Sequence, residues 1–138
     1  MEILKTIAKR KIYVIVVLLI VCVILGNQFM KSADEQELRN EAINIIYKSG
    51  FSTVIYDMHR DSHYWYIVQV PTSQSCRLIN YYNSSLQNKG WIEDRGSCSK
   101  DGKIFLKTKN NVKTSVVLKI VKQSDEQTLW RIDVNSWN

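Results

Sequence analysis

The run IYVIVVLLIVCVILGNQFM, from Ile12 to Met30, contains no charged residue and is apolar almost without interruption as far as Leu25. As a helix it would extend roughly 28 Å, at about 1.5 Å per residue, which is near the thickness of the hydrocarbon core of a bilayer. Three basic residues, Lys9 to Lys11, precede it directly. Because positive charge marks the cytoplasmic end of a membrane helix, the pattern predicts a single-pass anchor with a cytoplasmic N-terminus.

Two alternatives to a permanent anchor stay open for this run. A cleaved signal peptide has a shorter apolar core and ends at a small-x-small site. Here Gly26 is the only small residue near the end of the run. Cleavage after Gly26 would place Ile24 at the −3 position, where a small residue is required. Lipidation at Cys22 would require a small residue before it, where the chain has the branched Val21. An uncleaved helix, with Cys22 as an apolar residue facing lipid, therefore fits the sequence best.

The anchor divides the chain into three segments. Residues 1–11 are predicted to be a cytoplasmic stub, residues 12–30 the transmembrane anchor, and residues 31–138 one periplasmic domain at a bacterial inner membrane. Four of the 19 basic and one of the 13 acidic residues lie in the stub, which leaves 15 and 12 outside, a net charge of +3. So small an excess does not indicate nucleic-acid binding, and we expect no nucleic-acid partner.

Two cysteines, Cys76 and Cys98, lie in the outer segment. An even pair on the oxidising side of a membrane is most simply a disulfide, and closing a loop of about 22 residues would stabilise the fold by roughly 3 kcal/mol. A catalytic or metal-binding thiol is the alternative. Because neither cysteine belongs to a Cys-x-x-Cys motif or has a flanking histidine, we predict the disulfide.

Two helices are predicted in the outer segment. A capping box at Ser32 and Glu35 indicates where the first begins, and Gly50 ends it. The second begins with an N-cap at residue 72 or 73 and ends at Gly90. The residues expected on the buried faces are Leu38, Ala42, Ile45, Ile46 and Ser49 in the first helix, and Cys76, Ile79, Tyr82 or Asn83, and Leu86 in the second.

Six segments have the β-branched or alternating composition of strands. They are residues 51–58, 63–70, 91–95, 103–109, 113–122 and 127–137. The order is therefore α-β-β-α-β-β-β-β, and the short connections favour an antiparallel sheet with two helices on one face, an α+β fold. In the last strand, alternation places Trp130, Ile132 and Val134 inward and Arg131, Asp133 and Asn135 outward.

One group of residues has the spacing of a metal site. Asp57, His59, Asp61 and His63 occupy every second position, so in an extended segment they would share a face and could converge on an ion. The alternative is a polar hairpin between two strands, and Arg60 at its centre disfavours a bound cation. We therefore expect no metal and no cofactor.

A serine hydrolase requires a Ser beside a His, and a glycan-cleaving enzyme requires two carboxylates in one cleft. Adjacent residues of this sequence do not provide either pair. Ser62 precedes His63, and Glu93 precedes Asp94, but adjacent residues of a strand point to opposite faces. No Gly-x-Ser-x-Gly motif is present. We therefore expect that the protein is not an enzyme.

Aromatic and basic residues indicate a protein-binding surface instead. Consecutive aromatics at residues 64–66 and 81–82 cannot all face a core, and exposed Tyr and Trp suit protein interfaces. The alternative is an ordinary surface, on which partly exposed tyrosines are common and one tryptophan caps a sheet edge. Several lysines gather in residues 103–113, where they could attract an acidic partner or anionic lipid, or simply protect a sheet edge. The predicted partner-binding residues are Trp65, Tyr81, Trp137, Lys107 and Lys109.

The junction YYNSSLQNKGW, from Tyr81 to Trp91, resembles a Tyr-x3-4-Leu-x3-Gly-Trp signature of small bacterial envelope proteins. That class contains anchored or lipidated periplasmic domains and includes some immunity proteins against toxins. The resemblance covers 11 residues and implies a helix-to-strand junction in which Tyr82 and Leu86 are buried and Gly90 turns the chain. It carries over no functional residues.

These observations together predict a membrane-anchored periplasmic protein-binding domain. The expected form is an immunity protein or inhibitor that neutralises a toxin acting in the periplasm, where a tether would raise the local concentration of the inhibitor. The alternative is a structural accessory subunit of an envelope machine for secretion, conjugation or division. A third hypothesis is an enzyme or metal protein that uses His59 and His63.

Overall fold

The computed structural model of the chain describes residues 2–94 and 102–137, with side chains from Ile7 onward. The chain forms two compact units, Met1–Ala33 and Asp34–Asn138. The described part of the first unit, from Glu2 onward, is helical. The second combines helices with an antiparallel sheet, so the predicted α+β class is confirmed.

The first helix, α1, runs without interruption over Glu2–Tyr47. The prediction that a separate helix begins at Ser32 was therefore wrong. No Gly or Pro lies between Asn27 and Glu37, and most residues there are good helix formers, so nothing breaks the hydrogen-bonded ladder. A capping box starts a helix only where the preceding chain is not already helical, and here it is.

Part of α1 has the properties of a membrane span. The helical stretch Ile7–Tyr47 contains a window whose mean hydropathy reaches 2.6, and none of that window is buried within the protein. By length and composition, this is a helix able to cross a membrane.

The described strands form one six-stranded sheet in the spatial order β1-β2-β6-β5-β4-β3, antiparallel throughout. The second helix, α2, covers Ser75–Asn88 and follows a 3-10 turn at Thr72–Gln74. The strands are β1 Thr53–Arg60, β2 His63–Pro71, β3 Ile92–Glu93, β4 Gly102–Lys109, β5 Val112–Gln123 and β6 Gln127–Trp137.

Left-handed backbone conformations mark the tight turns. Asn110 and Asn111 both have positive φ, 47° and 70°, which closes the β4–β5 hairpin at the predicted place. Asp61, with φ of 52°, closes the β1–β2 hairpin. Gly90 has φ of 84° and turns the chain from α2 toward β3, as the junction signature implied.

One face of the sheet, here called the helix-covered face, carries the hydrophobic core. Its strand residues are Tyr66, Val68, Val70, Phe105, Val116, Leu118, Trp130, Ile132 and Val134. The helices add Ala42, Ile45, Ile46, Leu78, Tyr82 and Leu86. The inward orientation predicted for three alternate residues of β6 is thereby confirmed, as is the burial of Tyr82 and Leu86.

The prediction of the buried stripe of α2 was partly wrong. Cys76 is exposed and Ile79 is only half-buried, whereas Ser75 and Leu78 are buried. The α-helix begins at Ser75 rather than at the expected N-cap, since Thr72 lies in the 3-10 turn. The Thr72 hydroxyl donates to the Ser124 carbonyl oxygen at 2.7 Å instead of capping the helix.

Candidate functional site

The second face of the sheet, here called the open face, has no helix packed over it within residues 34–94 and 102–137. Both helical segments of that unit belong to the core on the first face. The strand register places one residue from each of five strands in a row across the open face. The row contains Met58, Trp65, Asp133, Val117 and Ile104.

A charged cluster lies at the centre of this row. Arg131 and Asp133 are two residues apart on β6 and so share a face. The Arg131 guanidinium donates from both Nε and Nη2, at 2.9 Å to Oδ2 and 2.7 Å to Oδ1 of Asp133. His63 Nε2 lies 2.9 Å from Oδ1 of the same carboxylate and donates to it, since an ionised carboxylate only accepts.

These contacts set the ionisation of Asp133, which is only 8% exposed. Burial alone would raise the pKa of its carboxyl, but the hydrogen bonds and positive charges of Arg131 and His63 outweigh burial and lower the pKa. The same pairing raises the pKa of Arg131. The two side chains are therefore ionised at neutral pH and hold each other in a fixed geometry.

Trp65 packs directly against this cluster. Its ring lies 5.0 Å from the His63 ring, between centroids, and the Arg131 guanidinium carbon lies 5.6 Å from the Trp65 ring centroid. A cleft of about 460 Å³ opens beside it, between the β1–β2 hairpin and the end of β6. Its lining includes Arg60, Asp61, Ser62, His63, Trp65, Arg131 and Asn135. The cleft thus combines an aromatic wall with several hydrogen-bond donors and one carboxylate, that of Asp61.

Trp137 also lies on the open face, because it pairs with Lys113 in the same alternation as Asp133 with Val117. It is 44% exposed, and it lies on the opposite side of β6 from the buried Trp130. The structure thus brings two of the predicted partner-binding residues, Trp65 and Trp137, to one surface.

The other three predicted partner-binding residues lie elsewhere. Tyr81 is a half-buried residue of α2, with its ring 6.1 Å from that of Phe51 in an edge-to-face arrangement. Lys107 and Lys109 point to the helix-covered face. Lys107 Nζ donates to Glu41 Oε1 at 2.8 Å, and Lys109 Nζ donates to Glu37 Oε2 at 2.5 Å, so both charges are balanced within the domain.

The four residues with metal-site spacing do not converge. Asp57 and His59 extend from β1 toward the helix-covered face, where Asp57 accepts from the Tyr47 hydroxyl at 3.2 Å. Asp61 lies in the turn and His63 is on the open face. The two-residue turn breaks the alternation that the sequence argument assumed. No group of three or more His, Cys, Asp or Glu able to hold a metal exists in the part of the chain that the structure describes.

The pairing of Arg131, Asp133 and His63 was not predicted. The sequence analysis placed Arg131 and Asp133 outward, and their opposite charges at i and i+2 of one strand were a usable signal for an ion pair. The hydrogen bond from His63 to Asp133 depends on the pairing of β2 with β6. These two residues are 70 positions apart, and the hydrophobic periodicity of the sequence does not reveal which strands pair.

The predicted Cys76–Cys98 disulfide stays a prediction. Cys76 is exposed on α2 and forms no disulfide with another described cysteine, while Cys98 lies outside the described residues. Comparison with known proteins gives no further guide to function, since no protein-family model, no curated protein and no solved structure matches the chain.

Proposed function

We propose that the chain is a membrane-anchored protein-binding domain that uses the open face of its sheet to hold a partner. The observation that carries this proposal is the position of Trp65, set among half-buried apolar and charged side chains on a face that no helix of residues 34–94 and 102–137 covers. Trp, Tyr, Met and Arg are the residues enriched at the centres of protein interfaces. The surface around Trp65 contains Tyr56, Met58 and Arg131.

The form we favour is an immunity protein or inhibitor that neutralises a toxin acting in the periplasm of a bacterium. Two observations support it. The junction from Tyr81 to Trp91 resembles a signature of an envelope-protein class that includes immunity proteins, and its implied packing agrees with the buried Tyr82 and Leu86. The apolar part of α1 is suited to anchoring, and a tethered inhibitor gains effective concentration where the toxin acts.

The basic residues at positions 9–11 support the proposed orientation in the inner membrane, with the N-terminus in the cytoplasm and the sheet domain in the periplasm. In this orientation the partner is a periplasmic protein or the periplasmic part of a larger one.

Site-specific photo-crosslinking in the native host tests the binding face. A benzophenone amino acid replaces Trp65 or Trp137 on the open face in the full chain, and Tyr47, which is 53% exposed and contacts Tyr66, serves as the control position. We expect one stoichiometric protein to crosslink from positions 65 and 137 and not from position 47. Equal crosslinking from all three positions, or crosslinking from none, would contradict the proposal.

Replacing the anchor distinguishes an inhibitor from a subunit of an envelope machine. An unrelated membrane helix in place of Ile12–Met30 should leave the crosslinks from position 65 unchanged if the helix serves only as a tether. Loss of those crosslinks, with the exchanged protein still in the membrane, would indicate that the helix itself makes contacts and would favour the accessory-subunit alternative.

A further inference from the structure

The basic side chains of the sheet differ sharply between its two faces. On the helix-covered face, β4 carries three lysines, and each pairs with an acidic residue. The distances from Nζ to the carboxylate oxygen are 3.3 Å for Lys103–Glu93, 2.8 Å for Lys107–Glu41 and 2.5 Å for Lys109–Glu37. The positive charge of this face is thus balanced internally.

The basic residues of the open face are not paired with acidic residues in this way. Direct strand pairing places Arg60, Lys113, Lys119 and Lys122 on it, because their partners His63, Trp137, Arg131 and Leu129 face the same way. All four are exposed, and none forms an ion pair with any residue in the described ranges.

The carboxylate at the centre of this face is already engaged. Asp133 is the carboxylate within the central row of the open face, and Arg131 and His63 hold both of its oxygens. Four cations without an ion pair among the described residues therefore lie around an aromatic and apolar centre at Trp65. One further carboxylate, that of Asp61, lines the adjoining cleft, so basic side chains outnumber the acidic ones there.

We infer that the partner held by the open face presents an acidic protein surface, with a carboxylate seated in the cleft between Arg60 and Trp65. This inference rests on the proposed function and specifies the chemistry of its partner. The Arg60 guanidinium can bind a carboxylate with two parallel hydrogen bonds, and Ser62 and Asn135 in the same cleft supply further donors. The remaining cations steer an acidic partner toward the face.

The arrangement fits a protein better than a lipid surface or a nucleic acid. The cations lie on two strands, β1 and β5, on either side of half-buried apolar residues such as Ile67 and Val117, and they do not form a single dense patch. Apolar area alternating with charge is typical of protein interfaces, in which a desolvated centre is ringed by polar residues.

The tryptophan indoles provide a direct test. All four tryptophans lie in the described residues, two on the open face and two on the other side of the sheet. The indole groups of the latter pair are engaged internally: Trp91 Nε1 donates to Glu41 at 2.7 Å, and Trp130 Nε1 donates to Ser75 at 3.0 Å. The full chain in neutral-lipid nanodiscs, labelled with ¹⁵N at tryptophan, is titrated with poly-L-glutamate.

We expect poly-L-glutamate to shift the indole resonances of Trp65 and Trp137 and to leave those of Trp91 and Trp130 in place. Poly-L-lysine of equal length should shift none of them. Raising the salt concentration tenfold should weaken the apparent affinity by about tenfold or more, because the attraction between exposed charges is screened.

A matched pair of double variants assigns the effect to the open face. Arg60→Gln with Lys119→Gln removes two charges from that face, while Lys48→Gln with Lys89→Gln removes two charges near the ends of the helices. We expect the first variant to weaken poly-L-glutamate binding about tenfold and the second to bind like the wild type. Equal weakening in both, or no shift of Trp65 in the wild type, would overturn the inference.

Two further results separate this inference from the proposed function. Shifts of Trp65 with phosphatidylglycerol nanodiscs but not with poly-L-glutamate would identify an anionic membrane as the ligand and overturn the acidic-protein inference. A protein crosslinked from position 65 that binds the Arg60/Lys119 double variant as tightly as the wild type would also overturn it, while leaving the protein-binding function standing.

Discussion

Glu41 and Lys107, which are 66 residues apart in the sequence, form an ion pair of 2.8 Å that fastens the C-terminal part of α1 to strand β4. The same carboxylate oxygen accepts a hydrogen bond from the Trp91 indole at 2.7 Å. Trp91 is only 2% exposed, so its N–H group has little access to water as an alternative partner. Glu41 therefore satisfies one buried donor and one half-buried charge simultaneously.

Replacing Glu41 with alanine should lower the free energy of unfolding by about 1–3 kcal/mol, because it leaves the Trp91 indole without its acceptor. Glu41→Gln should lower the free energy of unfolding by less, since the amide oxygen can still accept a hydrogen bond from the Trp91 indole. Chemical denaturation of the full chain in detergent micelles, monitored by tryptophan fluorescence, measures the free energy of unfolding of both variants. The control is Glu37→Ala. The Glu37 side chain is 64% exposed and pairs with Lys109, so its loss should lower the free energy of unfolding by clearly less.

The ionisation of Asp133 makes stability depend on acid pH. Because its pKa in the folded state is lower than the ordinary value of 3.8, the ionised carboxylate stabilises the fold. This contribution is fully present above pH 3.8 and is lost as the pH falls through the lower folded-state pKa. Denaturation between pH 2 and pH 7 should therefore show a loss of stability in acid that is smaller in Asp133→Asn.

Carboxyl carbon NMR of Asp133 provides an independent check. Its titration midpoint should lie below 3.8 in the wild type and move upward in Arg131→Gln, since Arg131 supplies the strongest of the interactions that lower the pKa. A midpoint that stays in place in this variant would contradict the ion pair.

Much of the fold follows from local patterns in the sequence, and particular residues show why. Alternation in β6 placed Trp130, Ile132 and Val134 inward because an antiparallel sheet with one covered face requires a period of two. The Asn110–Asn111 turn was predictable because few other residues adopt positive φ readily. These features depend on neighbours a few residues apart.

Local patterns do not reveal the features that distant parts of the chain decide. Lys107 and Lys109 resembled a basic surface patch, yet they pair with carboxylates of α1 that are separated from them by more than 60 residues. The partner-binding role of Trp65 stays a prediction. The structure places Trp65 on the open face, where its contacts with Arg131 and His63 depend on the pairing of β2 with β6. The prediction of a helix start at Ser32 was wrong because the helix formed by the preceding apolar run continues through this residue.

Two adjacent residues of β4 test the assignment of the two faces. Phe105 is fully buried in the core beneath the helices, whereas Leu106 is half-buried on the open face, opposite Ser115 and Ile92. Phe105→Ala should lower the free energy of unfolding by about 3–5 kcal/mol, through lost burial and a residual cavity. Leu106→Ala should cost on the order of 1 kcal/mol, since only part of its surface leaves water on folding.

Denaturation of both variants in the same detergent, with the secondary structure checked by circular dichroism, gives the comparison. Equal costs would mean that the open face is covered as deeply as the core, which would remove the basis for a binding surface there. The expected inequality leaves Leu106→Ala as a folded variant, so any loss of partner crosslinking from position 65 in that variant would report on the interface and not on stability.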